Sequence, residues 1–242
     1  MILPNVRASF SRRDVLHLVH LISGEDEQLV RGAEHRLDEA GIDALLDDPR
    51  VLNALLTAPD VRAPTSLIFY VLVRHSLLEV GLDDRGTADY VTSMVVVFGQ
   101  GARAYRVSES RTDEYHYLVD MVVRLANADR REAFLVLSHL GDFSLWLSGL
   151  YPDYLEARMR RKGAPPIHYY ERMGSTGYQL AARSPEAKLR GVDRILGEVA
   201  VHFSGIRTAL NLVSDRYLCP HGGNPVNRVL REVSTRVGDR RR

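Results

Sequence analysis

Polar and apolar positions along the chain follow a helical rhythm: few segments alternate with a period of two, and capping side chains recur just ahead of the apolar stripes. Ser11 stands three before Asp14, Ser23 precedes an acidic run, Asp48 precedes Pro49, Thr112 precedes Asp113, Ser184 precedes Pro185 and Asn224 precedes Pro225. Each puts an oxygen acceptor beside first-turn N–H groups, often with Pro or an acid in that turn. The pattern predicts helices over residues 11–22, 25–40, 49–58, 64–81, 85–105, 112–127, 129–149, 151–161, 166–182, 185–217 and 225–236. The expected fold is therefore all-α, a compact multi-helix bundle of about nine to eleven helices. Residues 1–218 are expected to form one domain, and residues 219–242 a C-terminal loop, short helix and basic tail.

The segment 64–81 is apolar on every side for its first three turns, which predicts a buried central helix surrounded by others. Its polar residues Arg74, His75 and Glu79 are then expected to be buried and partnered, because an unpaired buried charge costs several kcal/mol. His75 and Glu79 are four apart and can meet on one face, whereas Arg74 has to find its partner on another helix.

Two further segments break their surroundings. "HLGDFSLWLSGLYPDYL" (139–155) begins as a core helix yet carries His139, Asp142, two glycines and the chain's single tryptophan, Trp146. "PPIHYYERMGSTGY" (165–178) sets His168, Tyr169, Tyr170 and Glu171 beside small residues and Tyr178. Gly141, Ser144 and Ser148 share one helix face, as do Gly174 and Tyr178, so part of this pattern is close helix approach. The remaining residues, with His116, form the candidate ligand-binding set, because tyrosine, tryptophan and histidine combine apolar bulk with a polar tip and suit a pocket wall or an interface.

Composition narrows the classes. With 45% hydrophobic and 26% charged residues among 242, the chain has globular proportions and enough length to bury a sizeable core. Cys219 is the single cysteine, so an intrachain disulfide is excluded and a cytoplasmic, reducing location is expected. No secretory leader pattern opens the sequence. The most apolar runs, residues 67–73 and 94–99, are far shorter than the roughly 20 residues of a membrane span, and no membrane association is expected. Residues 1–100 hold about 9 basic against 15 acidic side chains, and the remainder about 23 against 16, so the sign of the charge changes along the chain.

Five histidines have an acid one helical turn later: His35, His75, His116, His139 and His168. About two of nine would do so by chance at these spacings. Such pairs could assemble a metal or proton-transfer site, but the carboxylate bundles that bind two metals place the acid before the histidine; the plainer expectation is an acid orienting a half-buried histidine. Cys219 and His221 lack a second pair for zinc. Phosphate-loop, dinucleotide and nucleophile-elbow signatures are missing, so no cofactor, no metal and no catalytic residue is assigned. The expected function is non-catalytic binding of a small molecule or protein partner through residues 115–178, with self-association into a homo-oligomer. The alternatives are an enzyme using a buried His/carboxylate set and nucleic-acid binding through the arginine-rich C-terminus. The second of these is disfavoured because acids interrupt the tail and no aromatic is interleaved for base stacking.

Overall fold

A computed structural model describes residues 1–24, 27–58, 61–100, 102–107 and 117–219. Among them the fold is all-α, with no β-strand. Contacts divide the chain into two compact units, Ile2–Val96 and Val97 onward together with Met1, where the sequence pattern suggested one domain over 1–218. The predicted helix at 225–236 and the tail lie outside the described residues, as do His116, Thr112 and Asn224.

The first unit contains α1 (Arg12–Ser23), α2 (Glu27–Leu46), α3 (Pro49–Thr57), α4 (Thr65–Glu79) and most of α5 (Arg85–Phe98). Ser11 caps α1 in a reciprocal box with Asp14, and Asp48 accepts from the Arg50 amide with Pro49 at the first turn. The expected helix at 25–40 runs on to Leu46 across a kink at Gly41, whose φ of 72° suits glycine. Leu18, Val51, Leu67, Tyr70, Leu77, Tyr90 and Met94 fill this core.

α4 carries the polar residues singled out in the sequence. Arg74 is 1% exposed and bonds Asp47 through Nε (2.7 Å) and Nη2 (2.9 Å), and Asp83 through Nη2 (2.5 Å). Asp47 also accepts from Arg85 at 2.7 Å, and Asp43 from Arg7 at 2.7 Å. Burial alone would raise the Asp47 pKa, but the hydrogen bond from Arg74, reinforced by Arg85, holds it below the ordinary carboxylate value. His75 donates Nε2–H to the Leu46 carbonyl at 3.0 Å, and its burial lowers its pKa. Glu79 is exposed at the end of α4. The expectation that it is buried is corrected: in the last turn Ser76 and Leu77 face the core, and Glu79 lies on the opposite, exposed side.

The second unit contains α6 (Leu118–Leu125), α7 (Arg130–Leu150), α8 (Pro152–Lys162), α9 (Ile167–Ala182), α10 (Pro185–Leu189), α11 (Asp193–Val201) and α12 (Phe203–Val213), followed by a π-helical turn, Ser214–Leu218. The predicted 185–217 helix is three pieces: Gly191 takes φ 65° after α10, and His202 separates α11 from α12. The expected 85–105 helix stops at Phe98 and gives way to a 3-10 turn at Ala102–Tyr105.

α7 is buried without interruption from Ser138 to Leu150, a more complete burial than that of α4. By length and composition it could cross a membrane, but 83% of its apolar window is buried inside the fold. Its packing on α9 depends on small residues. A Cβ on Gly141 would stand 2.6 Å from the Tyr178 ring, one on Gly174 2.5 Å from the Phe203 ring, and one on Gly177 2.9 Å from the Leu137 carbonyl oxygen. The last four carbonyls of a helix lack intrahelical donors, and burying them unpaired is costly. In α7 all four are met: Leu147 by the Tyr151 amide, Ser148 and Gly149 by Asn211 Nδ2 (3.0 and 2.6 Å), and Leu150 by the Ser214 hydroxyl (2.7 Å).

Candidate functional site

Because α7 is buried all round, its polar residues are distributed to different neighbours instead of converging. Asp142 Oδ1 accepts from the Tyr178 hydroxyl of α9 at 2.8 Å, both groups fully buried. His139, one turn earlier, points into aromatic surroundings: Phe98 lies edge-on at 5.6 Å and Phe143 is stacked at 6.2 Å between ring centroids. Its Nε2 has no hydrogen-bond partner. Burial, with a smaller push from the chain's own amino terminus, lowers its pKa from 6.5 to about 3. His139 is therefore neutral near pH 7, and it does not pair with Asp142.

α9 shows the same separation. Glu171 binds Arg207 Nε of α12 at 2.6 Å, and Arg207 Nη1 donates to Asn211 at 2.8 Å, so this ion pair orients the side chain that caps α7. His168 is exposed on α9. Tyr169 and Tyr170 meet edge-to-face at 5.7 Å, and burial raises the Tyr170 pKa against the opposing field of Arg158. His139 and Trp146 share one aromatic cluster, Asp142 and Tyr178 form a second contact, and Glu171 belongs to a third.

Trp146 leads to a feature the sequence reading missed. Its ring packs against Phe98, Tyr105, Phe143 and Tyr151, with centroids 4.9 to 6.5 Å away. Phe143 also lines a cavity of about 470 Å³. Phe143 and Leu147 supply the α7 wall, Tyr154, Ala157, Arg158, Arg161 and Lys162 the α8 wall, and Tyr105 and Tyr117 the rest. The helical repeat explains both walls, since 143/147 and 154/157/158/161/162 each fall on a single face. Arg158 lies 5.6 Å from the centroids of both Tyr117 and Tyr154, a double cation–π contact. Among the described residues no acid lines the cavity. Gly163, in the left-handed conformation at φ 61°, ends α8 directly after Lys162.

The signal for this face was present as "YLEARMRRK", in which Tyr154 is followed by cations at the fourth, seventh and eighth positions. It is weak in a chain where arginine is common everywhere. Among the described residues no group of three or more His, Cys, Asp or Glu side chains could hold a metal ion. Cys219 forms no disulfide and is exposed. No protein-family model, curated protein or solved structure matches the chain.

Proposed function

We propose that this protein binds a small molecule without transforming it, using the cavity between α7 and α8. The observation that carries the reading is the cavity itself: its volume of about 470 Å³ falls within the roughly 300–1,000 Å³ of small-ligand sites, and its walls combine aromatic surface with a few polar groups. Phe143, 2% exposed and packed between His139 and Trp146, gives it a rigid back wall. A catalytic reading has less support. His139 lies behind that wall, neutral near pH 7, and the acids predicted to work with it are bonded to Tyr178 and Arg207.

The test is a thermal-shift screen of small molecules on the wild type and on Ala157→Phe, which fills the cavity from α8. Compounds that raise Tm only in the wild type support the reading, since a ligand selective for the native state stabilises it by mass action. A screen in which every stabilising compound acts equally on both proteins overturns it.

Self-association is a second reading, and its support has moved. Trp146, Tyr170 and Tyr178 are at most 8% exposed within the chain's own fold, so they no longer argue for a seam between copies. The exposed valines of α6, Val119, Val122 and Val123, at 56%, 41% and 65%, do favour one. Light scattering at micromolar concentration reads the outcome directly as one or two times 27.2 kDa.

A further inference from the structure

The cavity's charge narrows the chemistry of its occupant. Arg158, Arg161 and Lys162 all border it, at spacings of three and four on one face of α8, with no carboxylate in the lining among the described residues. Elsewhere on α8, Arg160 is paired with Glu156 at 3.2 Å, and neither residue lines the cavity. The helix C-terminus, with its partial negative charge, makes clustered cations tolerable there. Guanidinium groups suit planar oxyanions because their N–H groups form a fork.

The rest of the lining is aromatic. Arg158 lies over the rings of Tyr117 and Tyr154, and Tyr105 packs on Phe143 at 5.9 Å. From Tyr154 to Arg161 the α8 face rises about 10 Å, a length that takes one aromatic ring system with an acidic group at its end. Among the described residues a neutral ligand would meet three cations with no carboxylate in the lining, and an anion without a ring would leave the tyrosines unused.

We propose that the ligand is an aromatic anion, a planar ring system bearing a carboxylate or phosphate-type oxyanion, with the oxyanion held by Arg161 and Lys162 and the ring lying against Tyr105, Phe143 and Tyr154. This rests on the small-molecule reading above. The matched pair 8-anilinonaphthalene-1-sulfonate and N-phenyl-1-naphthylamine share one ring system and differ in the acidic group, so their fluorescence on binding separates the two ideas.

The wild type is expected to bind the sulfonate at least about tenfold more tightly than the neutral amine, with the preference weakening in high salt. In Arg161→Gln/Lys162→Gln that preference should fall severalfold while the neutral probe is unaffected, and in Ala157→Phe both probes should be lost. Circular dichroism melting checks that the variants remain folded. Displacement of the sulfonate by phenyl phosphate or phenylacetate, but not by benzyl alcohol, supports the assignment, and the stronger of the two competitors identifies the acidic group.

Equal affinity for both probes in the wild type, each lost in Ala157→Phe, overturns the anion assignment and leaves a neutral-ligand cavity standing. Binding of both probes unchanged by Ala157→Phe, or no binding of either, overturns the cavity as well.

Discussion

In the segment Ile2–Val96, Arg7, Arg74 and Arg85 alternate with Asp43, Asp47 and Asp83, each guanidinium within 2.7 Å of a carboxylate. On α8 in the second unit, Arg158, Arg161 and Lys162 face a cavity that no acid among the described residues lines. The first arrangement compensates charge inside the fold, which is what a nearly inaccessible Arg74 requires. The second, among the described residues, gathers positive charge without a carboxylate where solvent or a ligand can reach it. Similar side chains thus have a structural role in one unit and an available one in the other. The difference is open to measurement by substitution.

The largest effect is expected from Arg74→Ala. It deletes a 1% exposed side chain, leaves a void in α4 and removes the partner of Asp47, and should cost about 3 kcal/mol or more in urea unfolding followed by circular dichroism. A cost below about 1 kcal/mol would mean that the ion network is a surface feature, and the contrast with α8 would disappear.

Close packing sets the next effect. Gly174→Ala drives a Cβ to within 2.5 Å of Phe203 and 2.7 Å of Ser144 Cβ, and should destabilise by about 1–3 kcal/mol because α7, α9 and α12 cannot all yield. Gly197→Ala, with nothing within 4 Å of the new Cβ, is the control on α11 and should be neutral or slightly stabilising.

Acid distinguishes the buried histidine from the ion pairs. His139 has a pKa of about 3 in the fold against 6.5 ordinarily, so between those values the unfolded chain binds the extra proton. Its contribution is complete above pH 6.5 and declines as pH falls towards 3. Between pH 7 and pH 5 the wild type should lose about 2 kcal/mol of stability from this group, and His139→Leu should lose correspondingly less. His75, also shifted down by burial, adds a slope of the same sign that the variant retains. Parallel stability–pH curves for the wild type and His139→Leu would show that the imidazole titrates normally in the fold.

How much of this could be read from the sequence follows from the range of each interaction. The caps at Ser11, Asp48 and Ser184 were readable because acceptor and donor are two or three residues apart. The change of charge near residue 100 also had meaning: residues 97–100 carry no charge, so the same acid excess belongs to the unit Ile2–Val96. The close approach of α7 and α9 could be expected from Gly141 and Gly174, although the sequence does not say that Tyr178 and Phe203 fill those spaces. The His/acid pairs misled because a spacing of three or four permits a contact without excluding a better one. Asp142 bonds Tyr178, 36 positions away, and Glu171 bonds Arg207, also 36 away. The cavity face of α8 was hidden for the same reason, since its other walls come from α7 and from the segments before α6.

Two smaller effects complete the comparison. Tyr178→Phe removes one buried hydrogen bond to Asp142 and keeps the ring against Gly141, so a loss of about 1–2 kcal/mol is expected. The smallest effect should come from Arg161→Gln/Lys162→Gln. Both residues are exposed on the last turn of α8, where favourable interaction with the helix dipole contributes about 0.3–1 kcal/mol at low salt and less once salt screens it. Their replacement should therefore change unfolding stability by no more than about 0.5 kcal/mol in 0.15 M salt, against the 3 kcal/mol or more expected for Arg74. If these cations are held for binding, the same substitution that hardly affects stability should strongly change the preference for an anionic probe. A stability loss comparable to that of Arg74→Ala would instead make the α8 cations structural, and the two units would then use their positive charges alike.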